Sequence, residues 1–344
     1  MKRGEWGRFD VRNEDSLRVI RSIYYKIPGN EKLNINRWVK RTLRLFVRYY
    51  KKFGRPDIIL AHSVTWAGLA AERIHKKFNI HYLVTEHRSF FVWNTEAARK
   101  MVKAFYIPLF HNAYSSCARL ILVSESMKAG LLELIPDIEP KITVIPNMIN
   151  GEYFTFPEKK RNEEPFIFIT AGRLAAVKGL DILLSAFKIL TEKTGERILL
   201  KILGRGEIRK ELEEQVVRSG LQEQVIFLGR VTRDQVIREM QEANCYVLAS
   251  RYEAFGVVLI EAMATGLPVI ATRSGGPEYI VDESCGYLVE PDNVEELAEA
   301  MLTMMMEYKR FKQEEIRKRT LLHYGSEVVA EKYMEVFKGI VKED

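Results

Sequence analysis

The stretch Ala249-Ser250-Arg251-Tyr252-Glu253-Ala254-Phe255-Gly256-Val257-Val258-Leu259-Ile260-Glu261-Ala262-Met263-Ala264-Thr265-Gly266-Leu267-Pro268 decides how the chain is read. It begins as the end of an apolar strand, passes through a short loop and continues as an apolar helix closed by a glycine and a proline. Two carboxylates stand in it. Glu253 precedes the helix, where a side chain can face a cleft. Glu261 falls inside the helix, where burial without a donor is costly: even a neutral polar group costs roughly 2–7 kcal/mol. The sequence therefore predicts a donor for Glu261, either a basic side chain, a backbone group or a ligand hydroxyl. At the helix start, Phe255, Gly256 and Val257 supply amides without intrahelical acceptors, and such amides hold a pyrophosphate together with the helix dipole.

The residues around this stretch alternate between strand and helix patterns. Strands are predicted at 166–170, 198–203, 225–228, 245–249 and 268–271, and helices at 179–192, 207–219, 234–242, 256–264 and 294–307. That alternation implies a parallel sheet with helices on both faces. Ligands of such sheets bind at the C-terminal ends of the strands. There, Ala171-Gly172-Arg173-Leu174-Ala175-Ala176-Val177-Lys178-Gly179 joins a strand to a helix with two cations and two glycines, which makes it an anion site or a plain solvated loop. Gly204-Arg205-Gly206 ends the next strand, and its glycines permit close backbone approach to a ligand. Gly229-Arg230-Val231 ends the strand after that and either presents backbone groups to a nucleobase or simply turns the chain.

The first half carries shorter apolar runs, read as strands at 57–61, 81–88, 119–126 and 141–147. Helices are predicted at 67–77 and 127–134, the latter capped by Ser124 or Ser126. His62 and His87 stand at strand ends, a position that is more often structural than functional. Residues 1–36 are polar with weak periodicity, and no element is predicted in them. Residues 37–52 read as a helix with Arg37, Arg41, Arg44, Arg48 and Lys51 at helical spacing and aromatics opposite. That pattern fits a solvated basic face of a helix packed on a sheet, or a face that touches anionic membrane. Nucleic acid is not expected as a partner, since no binding module accompanies the charge.

The net charge of +7 is unevenly divided: residues 1–150 hold 26 Lys and Arg against 13 Asp and Glu, giving +13 and leaving −6 for the rest. Both halves read as α/β, which suggests two Rossmann-like domains facing across a cleft. The boundary falls in the charged stretch 158–165, giving an N-terminal domain at 1–160, a C-terminal domain at 161–325 and a last helix at 326–344 packing back on the first domain. The three cysteines, Cys117, Cys245 and Cys285, are widely spaced and read as reduced core thiols. Met1-Lys2-Arg3 is not followed by an apolar run, so no secretory signal is expected. No stretch of about 18 apolar residues exists to span a membrane.

From about residue 57 to 340 the chain resembles glycosyltransferase family 4, retaining enzymes of the GT-B fold. Glu253 to Glu261 matches that family's E-x7-E motif with its Phe-Gly core. Gly172-Arg173 with Lys178-Gly179 matches its phosphate loop, and Ile145-Pro146-Asn147, Gly275-Gly276-Pro277-Glu278 and Gly286-Tyr287-Leu288-Val289 match further landmarks. The resemblance implies a hexosyltransferase-like enzyme using a nucleotide-diphosphate sugar and no metal or other cofactor. Its acceptor would be a glycan or a lipid-linked sugar chain in cell-surface polysaccharide or glycolipid synthesis. Arg173 and Lys178 would neutralise the donor diphosphate, Glu253 would touch the donor sugar, and His87 would lie against that sugar from the first domain. Gly172, Gly204, Arg230, Val231, Phe255, Gly256 and Val257 would contact the nucleotide, and Glu261 its ribose. The basic first half fits a cytoplasmic enzyme, peripheral on the inner face of the membrane.

The family's usual opening of strand, glycine-rich loop and helix is not found in the 56 residues ahead of Asp57. The first domain is therefore expected to lack that strand and loop. An alternative reading is a truncated, catalytically weak protein that binds nucleotide sugar or serves as a partner subunit. An epimerase or phosphorylase is a further reading, which the E-x7-E motif and phosphate loop argue against.

Overall fold

The computed structural model describes residues 9–14, 17–22, 24–92, 103–158, 161 and 164–342. The Met1-Lys2-Arg3 start and four residues of the charged stretch, Lys159, Lys160, Asn162 and Glu163, lie outside them. The chain opens with an antiparallel hairpin, β1 (Phe9–Glu14) and β2 (Leu17–Ser22), where no element was expected. Alternation in β2 is muted because charged and apolar residues share its exposed positions. The basic helix Glu31–Phe53 follows, capped by the Asn30 side chain on the Leu33 amide. The hairpin leans on this helix: the Arg18 guanidinium lies 3.8 Å from the centroid of the Phe53 ring, and Arg41 donates to the Ser22 hydroxyl. Arg41 thus leaves the basic row, while Arg37, Arg44, Arg48 and Lys51 stay exposed.

The first parallel sheet contains β3 (Ile58–His62), β4 (His81–Glu86), β5 (Arg119–Leu122) and β6 (Ile142–Val144), paired in sequence order. Among the described residues β3 is its outer strand, and only the separate hairpin and the basic helix precede it. Successive residues point to opposite faces. Tyr82, Val84, Leu120 and Leu122 enter the main core with the helices Leu69–Phe78 and Ile107–Ser115. Leu83, Ile121 and Ile145 meet Val329 and Ile340 of the last helix, Ser326–Lys342, on the other face. The Tyr333 hydroxyl of that helix lies 3.1 Å from Thr85 Oγ1.

The second sheet has six parallel strands: β7 (Phe166–Ala171), β8 (Ile198–Leu203), β9 (Val225–Gly229), β10 (Cys245–Leu248), β11 (Val269–Thr272) and β12 (Gly286–Val289). Their spatial order is β12-β11-β10-β7-β8-β9. Every residue of β10 and β11 is buried, as strands covered by helices on both faces must be. Winding reverses between β7 and β10, so the loops after these two strands part there and leave a crevice. Those loops hold Gly172 to Gly179 and Ala249 to Val257.

The two sheets are joined by two crossings that run side by side. The Ile149 amide donates to Tyr324 O at 2.8 Å and the Ser326 amide to Ile149 O at 3.1 Å. Arg317 donates to Phe154 O at 2.5 Å and to Gly151 O at 2.8 Å, so residues 151–154 already pack with the second half. In the charged stretch Arg161 is buried and donates to Thr265 O at 2.7 Å and to Gln313 Oε1 at 2.5 Å. Composition alone hid that strut. Among the described residues, no helix is long and apolar enough to cross a membrane.

Candidate active site

Two loops at the crevice bring Lys178 and Glu253 together, 75 residues apart in sequence, with Nζ 2.6 Å from Oε2. Their side chains are only 28% and 17% exposed, so this is a largely desolvated, charge-assisted contact. The Glu253 backbone is held on both sides, its amide donating to Ser274 O at 2.9 Å and its carbonyl accepting from Gly276 at 2.8 Å. Arg251, unassigned by the sequence reading, ties the two loops. Its guanidinium reaches Asp181 and Asp292 at 2.7 Å each and also donates to Ala176 O. Burial alone would raise the Asp181 carboxyl, but the hydrogen bonds and charge of Arg251 hold it below the usual range.

Gly256 caps the helix Val257–Ala264 at φ +96°, in the left-handed region. The Phe255 ring is buried, edge-on to Tyr324 with centroids 5.7 Å apart. The amides of Phe255, Gly256 and Val257 have no acceptor among the described residues. Glu261 lies on this helix, half-buried, and makes no hydrogen bond with the described residues. Burial pushes its pKa up, and the charge of Arg233 only partly offsets that. Among the described residues, neither a basic side chain nor a backbone group donates a hydrogen bond to it.

The other predicted donor-site residues divide. A Cβ on Gly204, at φ +132°, would stand 1.8 Å from Gly172 O, so this glycine lets two loops close on each other. Gly172 itself faces open space. Arg173 pairs with Glu207, its Nε and Nη2 each 3.2 Å from that carboxylate. Arg230 is exposed and Val231 half-buried beyond β9.

On the facing domain His87 follows β4, its Nε2 3.0 Å from Nδ1 of His62, with the rings 5.3 Å apart and 23° from parallel. Burial and the neighbouring His62 lower its pKa, against a hydrogen bond that His87 donates to Asn147, which raises it. The surroundings thus disfavour the charged form of His87. Beneath it, buried Glu86 accepts from Ser63 Oγ at 3.2 Å, from the His87 and Arg88 amides at 3.0 and 3.2 Å, from Val64 at 2.9 Å and from Tyr114 Oη at 3.0 Å. Glu86 fixes the loop that carries His87, a role visible only once Ser63 and Tyr114 are in place. Ser124 does not cap the following helix, Ser126–Leu134, which has no side-chain cap. Its hydroxyl donates across the crevice to Ala254 O at 2.5 Å and lies 2.7 Å from Ser126 Oγ. The two domains thus meet at the Glu253 loop. Among the described residues no group of three His, Cys, Asp or Glu is placed to hold a metal, and Cys117, Cys245 and Cys285 are buried free thiols.

The family described as Glycosyltransferase Family 4 matches residues 5–153, and that described as Glycosyl transferases group 1 matches residues 153–320. An uncharacterized glycosyltransferase of Methanocaldococcus jannaschii is 31% identical over 273 residues, covering 79% of this chain and 70% of that one. The chain belongs to glycosyltransferase family 4. The solved sucrose-phosphate synthase of Thermosynechococcus elongatus has the same fold, with a TM-score of 0.82 at 22% identity, covering 98% of this glycosyltransferase and 87% of that chain. Anabaena HepE in complex with UDP-glucose superposes with a TM-score of 0.72 at 18% identity, covering 89% and 82%. The two-domain α/β architecture of this glycosyltransferase is accordingly GT-B.

Proposed function

We propose that the enzyme is a retaining hexosyltransferase that moves a sugar from a nucleotide diphosphate to a glycan or lipid-linked acceptor in cell-surface polysaccharide or glycolipid synthesis. The observation that carries this reading is the Lys178–Glu253 contact at the sheet's switch point, beside open helix amides and an unpartnered Glu261. The Phe255, Gly256 and Val257 amides receive the diphosphate, Lys178 and Arg173 add positive charge, and Glu261 accepts from the ribose hydroxyls. Glu253 contacts the donor sugar, and His87 closes on it from the first domain. HepE, a fold relative, is solved with UDP-glucose, which supports a nucleoside diphosphate sugar as donor class.

In the reaction the bond from the sugar's C1 to the diphosphate oxygen breaks, and a bond from the acceptor oxygen to C1 forms on the same face. The departing diphosphate oxygen takes the acceptor's proton. Cationic side chains and amides stabilise the charge that develops on that oxygen, so turnover is expected to survive a chelator. Exposed Arg37, Arg44, Arg48 and Lys51 on one helix support a peripheral contact with anionic lipid on the cytoplasmic face. The test is incubation with a panel of nucleotide sugars and glycan or lipid-linked acceptors, with the product's anomeric configuration read by NMR. A product of inverted configuration, or no acceptor-dependent release of nucleoside diphosphate, overturns the reading.

A further inference from the structure

The first domain holds a cavity of about 210 Å³ that the donor site does not use. It is set among the loops that leave β3 and β4, the same sheet edge that carries His87. Lys26, Arg88 and Lys103 line it against one carboxylate, Glu31. Glu31 is already taken: it is ion-paired to Lys103 and accepts from Tyr106 Oη at 2.5 Å. Among the described residues the lining therefore carries more positive than negative charge, with the charge of Lys26 also felt at Glu31. Arg88 is oriented by its Nε donating to Ser63 Oγ at 3.0 Å, and Lys26 Nζ lies 5.2 Å from the centroid of the Trp66 ring.

The floor of the cavity carries a second, independent signal. Thr65 is 5% exposed, lines the cavity, and its Oγ1 has no hydrogen-bond partner among the described residues. Native proteins rarely leave a buried hydroxyl unpaired. The short segment that presents it is strained as well, with Ser63 at φ +68° and Trp66 at φ +74°, both non-glycine residues in the left-handed region. Strain, a hydroxyl without a partner among the described residues and an excess of cations converge on one hollow flanked by Trp66 and Tyr106. A ligand that satisfies all of them is anionic, rich in acceptor oxygens and attached to a carbon body that lies on the aromatic rings.

We propose that this cavity binds a phosphate ester belonging to the acceptor, so that the enzyme glycosylates a phosphorylated molecule. The proposal rests on the transferase reading above and names its acceptor class. The phosphate reaches Lys26, Arg88 and Thr65, and the acceptor's carbon body extends toward His87. Two sources share this chemistry, a soluble sugar phosphate and the phosphodiester of a lipid headgroup.

The experiment is calorimetric titration of the full chain with the donor site filled by saturating nucleoside diphosphate. One arm uses hexose 6-phosphates against the unphosphorylated hexoses. The other uses phosphatidylcholine vesicles carrying phosphatidylinositol against plain phosphatidylcholine. Binding of either phosphate ester over its control, weakened at least about tenfold in Thr65→Val and in Lys26→Met, supports the proposal, and the arm that responds identifies the source. Thr65→Val should keep its thermal midpoint, because it removes a hydroxyl that bonds to nothing among the described residues. If it misfolds, Lys26→Met decides. Equal binding of ester and control in both arms, or binding indifferent to Thr65→Val and Lys26→Met, overturns the cavity assignment. Titration with nucleoside diphosphate alone separates the two ideas: its failure strikes the transferase reading, whereas failure of the ester arms with that binding intact strikes only the cavity.

Discussion

Replacing Glu261 by glutamine keeps the size of the side chain and removes its charge. In the structure that charge is half-buried, makes no hydrogen bond with the described residues and faces only the field of Arg233. A buried polar group left unpaired costs about 1–3 kcal/mol. Partial exposure and Arg233 place Glu261 at the lower end, so Glu261→Gln should stabilise the free enzyme by about 1 kcal/mol, or roughly 2–4 °C for a domain of this size. The sign with pH follows from the raised pKa. The folded state holds the Glu261 proton more tightly than the unfolded chain does. Stability from that proton is complete in acid and lost as pH rises through the folded pKa, so the glutamine's advantage should be greatest at neutral pH and above and should shrink on acidification. Nucleotide affinity should move the other way. A hydrogen bond to a charged group contributes about 1.5–3 kcal/mol, so the variant should bind nucleoside diphosphate roughly ten- to a hundredfold more weakly. Scanning fluorimetry across pH and calorimetry with nucleotide read both effects. A glutamine variant that is less stable at neutral pH, or that binds nucleotide as wild type does, would refute the idea that Glu261 awaits a ligand.

Three further outcomes are expected. Gly256→Ala forces a side chain onto φ +96° with its Cβ 3.1 Å from Leu259 Cδ1, and should lose about 1–2 kcal/mol in urea unfolding; an unchanged midpoint would contradict the strained cap. Arg251→Ala should lose about 1 kcal/mol at neutral pH. Because the Asp181 carboxyl is held low by Arg251, that deficit should fade as pH falls through the folded pKa of Asp181; a deficit constant into acid would separate it from the ion pair. Ser124→Ala removes the hydroxyl that bridges the domains to Ala254 O, so amide exchange in residues 249–257 should accelerate while the rest of the second domain is unaffected, and equal protection would deny the bridge.

The second sheet was legible because most of its strands are well covered and appear as apolar runs bounded by glycines and charges, with Lys201 the one charge inside them. β12 was the exception: Gly286-Tyr287-Leu288-Val289 is short and begins with a glycine, so it read as a landmark and not as a strand. The hairpin at β1 and β2 was invisible because its contacts are with a helix rather than with its own alternation. Site residues were legible as residue types placed at strand ends, but not as pairs. Nothing local said that Lys178 would reach Glu253 while Arg173 would take Glu207. Ser124 read as a cap because its acceptor lies 130 residues away in the other domain. Arg251 and Glu86 escaped notice for the same reason: each acts by joining segments remote in sequence. Gly204 was read for close approach to a ligand; that its missing side chain also makes room for Gly172 O could not be seen locally.

The central claim is that the Lys178–Glu253 crevice holds a nucleotide-diphosphate sugar, with the diphosphate at Lys178 and the helix amides and the sugar at Glu253. Calorimetry on wild type, Lys178→Met and Glu253→Gln tests it, using the tightest-binding nucleotide sugar of a panel and the matching sugar-free nucleoside diphosphate. Lys178→Met should weaken both ligands by about tenfold or more, and Glu253→Gln should weaken the nucleotide sugar while sparing the sugar-free nucleotide. Equal loss of both ligands in Glu253→Gln, or no loss in Lys178→Met, would contradict the account.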